Sequence, residues 1–188
     1  MATNNRSSSR ETSSRMAFCG LTTALSVTIM LAGGLIPIAT YCVPMISSVL
    51  LLAVLAEFGK RAAWTTYLST SIISILLAPD KEAAFFYVFM GFYPILKWQF
   101  DRIQPKWLRI LSKFMFFSLS IILMYIVLGF ILNMHAIVAE FSEMGVYFTF
   151  ILLLLFDLCM FLYDRLLFPL IFLYGQRIQP RLRFLTKR

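Results

Sequence analysis

The chain has 188 residues, 60% of them hydrophobic and only 14% charged, with a formal charge of +8. A water-soluble domain carries about a quarter charged residues, so this composition excludes an ordinary soluble fold and makes the bilayer the natural solvent. The cations fall in short clusters between long apolar runs rather than along one continuous basic face, which excludes a nucleic-acid surface.

Residues 1–15, MATNNRSSSRETSSR, are polar and read as a disordered tail. A membrane-crossing helix needs about 20 mostly apolar residues, and that ruler predicts six. The first covers 17–36. Its basic approach, apolar run and AGG at 32–34 also match a signal peptide with a cleavage site, which stands as an alternative. The turn IPIATYCVP leads to a second span over 43–58, closed by FGKR, where Gly59 is a helix stop ahead of two anchoring cations. The third span runs 62–78 to Pro79, the fourth 83–100 and the fifth 114–133. The sixth starts near Gly145 and passes 163.

Cations set the orientation. With six crossings, Arg6, Arg10 and Arg15, then Lys60 and Arg61, then Lys97, Arg102, Lys106, Arg109 and Lys113, and finally the tail from Arg177 to Arg188 all reach one side. Lys81, Asp80, Glu82, Glu140 and Glu143 reach the other. Cytoplasmic loops are the ones enriched in Lys and Arg, so both termini are expected inside. The fold expectation is therefore an all-α integral membrane protein, a compact bundle of six transmembrane helices. Its transmembrane domain spans 16–176, followed by a basic cytoplasmic tail at 177–188.

The phrase RIQP occurs at 102–105 and again at 177–180, each copy preceded by a proline eleven residues before its own, Pro94 and Pro169. One reading is interface chemistry used twice, with proline ending or kinking the helix and the cations snorkelling to headgroups. The other is an internal duplication or a pair of matched elbows, with Arg102, Pro105, Arg177 and Pro180 docking one partner.

Several polar residues sit where they are costly. Asp157 lies near the middle of span six, where an ionised carboxylate costs about 2.5–3.5 kcal/mol on insertion scales. It is either functional or hydrogen-bonded to a hydroxyl on a neighbouring helix. Asp164 and Arg165 mark the inner interface, or Arg165 pairs with Glu57 on span two. Thr66, Thr70 and Ser74, four apart on span three, form a hydroxyl stripe suited to close helix packing or to lining a cavity. Gly20 and Ala24 make a similar small face on span one. At the outer edge, Tyr41, Asn133, His135, Glu140, Glu143 and Tyr147 line either a pocket or an ordinary surface loop.

Cys19, Cys42 and Cys159 form no CxxC or Cys/His cluster, and His135 is the single histidine. No zinc site, disulfide framework or other cofactor is expected. The chain also lacks GxSxG, HExxH, a phosphate-cradling glycine loop and a paired Asp-rich motif, so no enzyme is read here. Without a nucleotide-binding cassette, any ATP-driven transport must borrow its ATPase.

In overall layout, with six short spans, a polar tail, a basic end and the small-residue run MAFCGLTTALSVTIM on span one, the chain resembles the S components of energy-coupling factor transporters. That resemblance implies a subunit of the bacterial plasma membrane that captures a vitamin-like solute, with a transmembrane coupling subunit and cytoplasmic ATPases as partners. It assigns Gly20 and Ala24 to the coupling subunit and Tyr41, Tyr87, Asn133, His135 and Tyr147 to the solute. The family's long outer loop after span one is shortened here to 36–44. A small membrane scaffold that binds a protein and no solute is the alternative, and a carrier coupled through Asp157 is a third.

Overall fold

In the computed structural model the backbone is described for residues 2–34, 40–131 and 135–178, and side chains for 12–34, 40–130, 147 and 150–176. The described residues are helical, with no strand among them. The helices are α1 (Ala2–Gly33), α2 (Cys42–Leu77), α3 (Lys81–Met90), α4 (Tyr93–Asp101), α5 (Lys106–Ile131) and α6 (His135–Leu173), followed by a π-helical turn at Tyr174–Ile178.

Among the described residues, three stretches are long and apolar enough to cross a membrane: Thr12–Gly33, Cys42–Leu77 and Lys106–Phe130. Six were expected, and the backbone accounts for the difference. Expected spans two and three are one element, α2. Span four is broken at Gly91–Phe92 into α3 and α4, of 10 and 9 residues, each too short to cross alone. Span six corresponds to α6, part of which carries side chains outside those described.

α2 is not a straight rod. A 36-residue helix would be about 54 Å long, yet the residues flanking its two ends touch. Thr40 Oγ1 donates to Asp80 Oδ2 at 2.8 Å, and the Tyr41 hydroxyl donates to Glu82 Oε1 at 2.6 Å. The chain therefore reverses inside α2, at Gly59, whose φ of 76° and ψ of −174° are non-helical. That region of backbone space is open to glycine almost alone. The expectation of a helix stop at Gly59 matches this geometry, and α2 consists of antiparallel arms, 42–58 and 60–77.

Residues 2–15 continue α1 as helix, where an unstructured tail was expected. The stretch contains neither proline nor glycine, so nothing in it terminates a helix propagating from the apolar segment.

Small residues bring α1 against the first arm. Ser26 and Ser47 are fully buried, and each hydroxyl donates to the other's backbone carbonyl, at 3.5 and 3.2 Å. Gly33 faces Val43 so closely that a Cβ would lie 2.1 Å from its Cγ2. Two apolar clusters fill the interior. Met30, Leu51, Val54, Ala63, Tyr67 and Tyr87 join α1, both arms of α2 and α3. Phe86, Tyr93, Phe117, Met124, Met160 and Leu167 join α3 through α6.

The outer surface is apolar as well. Leu108, Leu111, Met115, Leu119, Ile122 and Ile126 recur every three or four residues along α5, and all are exposed. A soluble monomer rarely presents so continuous an apolar face, whereas a helix bathed in lipid requires one. The polar residues have moved inward.

Candidate functional site

Four polar constellations and one groove emerge from this packing. The groove is open, has a volume of about 650 Å³, and lies between α1 and the second arm of α2. Gly20, Thr23 and Ala24 line it from one side and Thr65, Thr66 and Ser69 from the other. Gly20 is exposed, and a Cβ added to it would meet nothing within 4 Å. Thr66 is buried and its Oγ1 has no hydrogen-bond partner. The groove thus joins two features read separately from the sequence, the small face of span one and the hydroxyl stripe of span three.

The remainder of that stripe faces the interior. Thr70 Oγ1 donates to the Thr66 carbonyl at 2.9 Å, a bond within the helix. Ser74 is fully buried with its hydroxyl unpartnered.

At the end of the bundle opposite Gly59, Glu82 Oε1 accepts from the hydroxyls of both Tyr41 and Tyr125, the latter at 2.7 Å. Tyr41 also packs edge-on against Phe86 and Phe156. Burial first, and then the hydrogen bond to Glu82, push the Tyr41 hydroxyl's pKa above its ordinary value. The residues expected to hold a solute are not gathered here. Tyr87 is fully buried within the α1–α2–α3 cluster, and Tyr147 is 90% exposed. Asn133 and the side chain of His135 lie outside the described residues, as do the side chains of Glu140 and Glu143.

Asp157 is buried between α5 and α6, where the Ser118 hydroxyl on α5 donates to its Oδ2 at 2.7 Å. A hydroxyl on a neighbouring helix therefore meets it, while Oδ1 has no partner.

The constellation that sequence reading missed is built on Asp164. Only 5% exposed, this carboxylate accepts from the Tyr93 hydroxyl at 2.6 Å and from Lys113 Nζ at 2.8 Å, and it pairs with Lys97. Lys97 also approaches Asp101 at 3.5 Å, and Lys113 reaches Asp101 at 2.7 Å. Two lysines and two aspartates from α4, α5 and α6 thus form a charge-balanced cluster. Lys97 and Lys113 were expected at the inner surface with the other cations, and Asp164 at the interface. All three are buried. The shared face of Asp164 and Asp157 was legible from their spacing; the missed signal was that Lys97 and Asp101 are four apart on α4.

Arg165, offered as the partner of Glu57, is exposed and lies over the Phe161 ring at 5.4 Å, while Glu57 accepts from the Tyr174 hydroxyl at 3.3 Å. The RIQP copies also diverge. Pro94 lies in the first turn of α4, not near the end of a span, whereas Pro169 lies inside α6. Arg102 is exposed over the Trp98 ring at 5.9 Å, and Pro105 is exposed. Arg177 falls in the π-helical turn with its side chain outside the described residues, and Pro180 is outside them altogether.

No group of three or more metal-ligating side chains occurs among the described residues. No protein-family model, curated protein or solved structure matches this chain.

Proposed function

We propose that this protein is the membrane-embedded capture subunit of an ATP-driven uptake transporter for a vitamin-like small molecule in a bacterial plasma membrane. It threads the bilayer six times: α1, the two arms of α2, α3 with α4, α5, and α6. Contacts at the bundle ends support that threading. Phe18 packs on Phe58 beside Gly59, Tyr174 reaches Glu57, and Thr40 and Tyr41 meet Asp80 and Glu82 at the other end. Lys60 and Arg61 follow the Gly59 reversal directly, and on this threading Arg102 and Lys106 emerge at the same end as both termini. The rule that cations stay inside makes that end cytoplasmic.

The observation that carries the transporter reading is the groove. Its small, hydroxyl-bearing walls let another helix approach closely, and it lies on the first helix, where the coupling subunit of such a transporter would dock. Cytoplasmic ATPases would then act through that subunit to tilt the bundle. Purification of the tagged protein from its native membrane tests this: a coupling subunit and ATPases should co-purify, and Gly20→Leu with Ala24→Leu should abolish that. Recovery of the protein alone from native membranes would refute it.

The scaffold reading is favoured by one observation. Tyr41 is already tied to Glu82, and Tyr87 is buried, so two candidate solute ligands are engaged within the fold. An unrelated membrane protein as the co-purifying species, with no ATPase, would establish it.

A further inference from the structure

The first RIQP copy, at 102–105, takes no part in the groove, and the charges around it are unbalanced. Asp101 directly precedes Arg102, yet its carboxylate turns to Lys113 at 2.7 Å and to Lys97 at 3.5 Å. The ion pairs among the described residues all join those two lysines to Asp101 or Asp164. Arg102, Lys106 and Arg109 therefore have no carboxylate partner among the described residues, although Arg102 and Lys106 are exposed and Arg109 is half-buried. The buried lysines have taken the acids that would offset the elbow between α4 and α5.

Large apolar side chains interleave with these cations. The Arg102 guanidinium lies over the Trp98 ring at 5.9 Å. Trp98 is 61% exposed and Trp107 is 85% exposed, with Leu108 and Leu111 exposed next to them. Tryptophan concentrates at the membrane–water boundary, where its ring meets acyl chains and its N–H meets headgroups. Length places the elbow at that level. Lys106–Phe130 has 25 residues, so it is about 37 Å long, against a hydrocarbon core of about 30 Å. Residues 114–130 carry no charge, so the surplus of about 7 Å emerges at the Lys106 end. That surplus covers the first turn of α5 and puts Lys106 and Arg109 among headgroups.

We propose that the α4–α5 elbow is a binding site for an anionic phospholipid. Its phosphate meets Arg102, Lys106 and Arg109, and its acyl chains run along Trp107, Leu108 and Leu111. A soluble anion would use the cations but not the apolar side chains that adjoin them. A lipid supplies a negative charge and an apolar chain in that order along the membrane normal. The site requires α5 to cross the bilayer, but neither solute capture nor a coupling subunit.

Bromine on an acyl chain quenches tryptophan at contact, which gives the test. The protein carries Trp64→Phe, which keeps a ring against Phe92 and leaves Trp98 and Trp107 as reporters. It is reconstituted in phosphatidylcholine vesicles containing either brominated phosphatidylglycerol or brominated phosphatidylcholine. Each cation near the surface is worth about fivefold in affinity for anionic lipid, so the anionic probe should be preferred by roughly tenfold or more. Arg102→Gln with Lys106→Gln and Arg109→Gln should abolish that preference. Should this triple variant fail to accumulate, Lys106→Gln alone should lower it about fivefold. Lys60→Gln with Arg61→Gln removes exposed cations outside the elbow and should leave it unchanged. Equal quenching by both probes in the parent overturns the proposal and leaves the cations to an acidic protein surface. An equal loss in the two sets of variants also overturns it, because a diffuse surface potential would then suffice. Excess inorganic phosphate should not relieve the quenching; relief would reassign the elbow to a soluble anion. A failed co-purification of ATPases leaves every one of these readings intact.

Discussion

Replacing Gly59 by alanine tests the reversal on which the arrangement of α2 depends. Its φ of 76° with ψ of −174° is a conformation that side-chain-bearing residues rarely adopt, and holding one there costs on the order of 1–3 kcal/mol. A Cβ at this position meets nothing within 4 Å, so no steric clash with other residues adds to that cost. Gly59→Ala should therefore destabilise the protein by about 1–3 kcal/mol through the backbone alone. Unfolding in mixed micelles, followed by emission from Trp64, Trp98 and Trp107, measures the difference. The sign of the effect is decisive. Were α2 one continuous helix, the same substitution would stabilise it by about 0.5–1 kcal/mol, because glycine is the poorer residue in a helix interior. A Gly59→Ala variant more stable than the parent would refute the hairpin and unseat the placement of α3.

Gly33→Ala should loosen the α1–α2 contact, since its Cβ would fall 2.1 Å from Val43 Cγ2; adding Val43→Ala should recover part of the lost melting temperature. Asp164→Asn leaves two buried lysines short of a counter-charge and should cost about 3–5 kcal/mol, measured by the same micelle unfolding. An all-apolar variant at Lys97, Asp101, Lys113 and Asp164, with Tyr93→Phe to remove the hydroxyl that donates to Asp164, should be close to neutral in stability, because replacing a whole ionic cluster by apolar side chains is often neutral or stabilising. Tyr41→Phe removes one of two hydrogen bonds to Glu82 and should cost about 1.5–3 kcal/mol if that carboxylate is charged, with no effect on co-purification of partners. Gly20→Leu should leave the melting temperature unchanged while preventing partner recovery, since its side chain enters only the groove.

The features legible in the sequence were those that depend on one segment at a time. Apolar length located the apolar helical stretches, though not the helix over residues 2–15 or the division of the fourth, and Gly59 was readable as a stop because two cations follow it. What a segment pairs with was not readable. Arg165 and Asp164 are neighbours in the chain and equally plausible as interface residues, yet a helix turns 100° between them, so one meets α4 and α5 while the other lies over Phe161 on the exposed surface. The break at Gly91–Phe92 was hidden because both halves are apolar and together have the length of one span. Pro94 was read as ending a helix, although proline is equally at home in the first turn, where no backbone donor is required.

The same reasoning explains why the 17 lysines and arginines overstate the cations that the surface presents, although the net charge of +8 is unaffected because two aspartates cancel two of the lysines. Charge-pattern rules assume that a lysine near a span end faces water or headgroups. Lys97 and Lys113 break that assumption because Asp101 and Asp164 lie within reach on α4 and α6. A buried lysine is tolerable only when a carboxylate shares its site, so Lys97 and Lys113 are neutralised by buried Asp164 and by Asp101, which is partly exposed. The asymmetry in cations survives without them, carried by Lys60, Arg61, Arg102 and Lys106, which are all exposed. On the six-crossing reading the surface lysines and arginines set the orientation, while the pair that looked like two more of them ties α4 to α5 and α6 through the two aspartates.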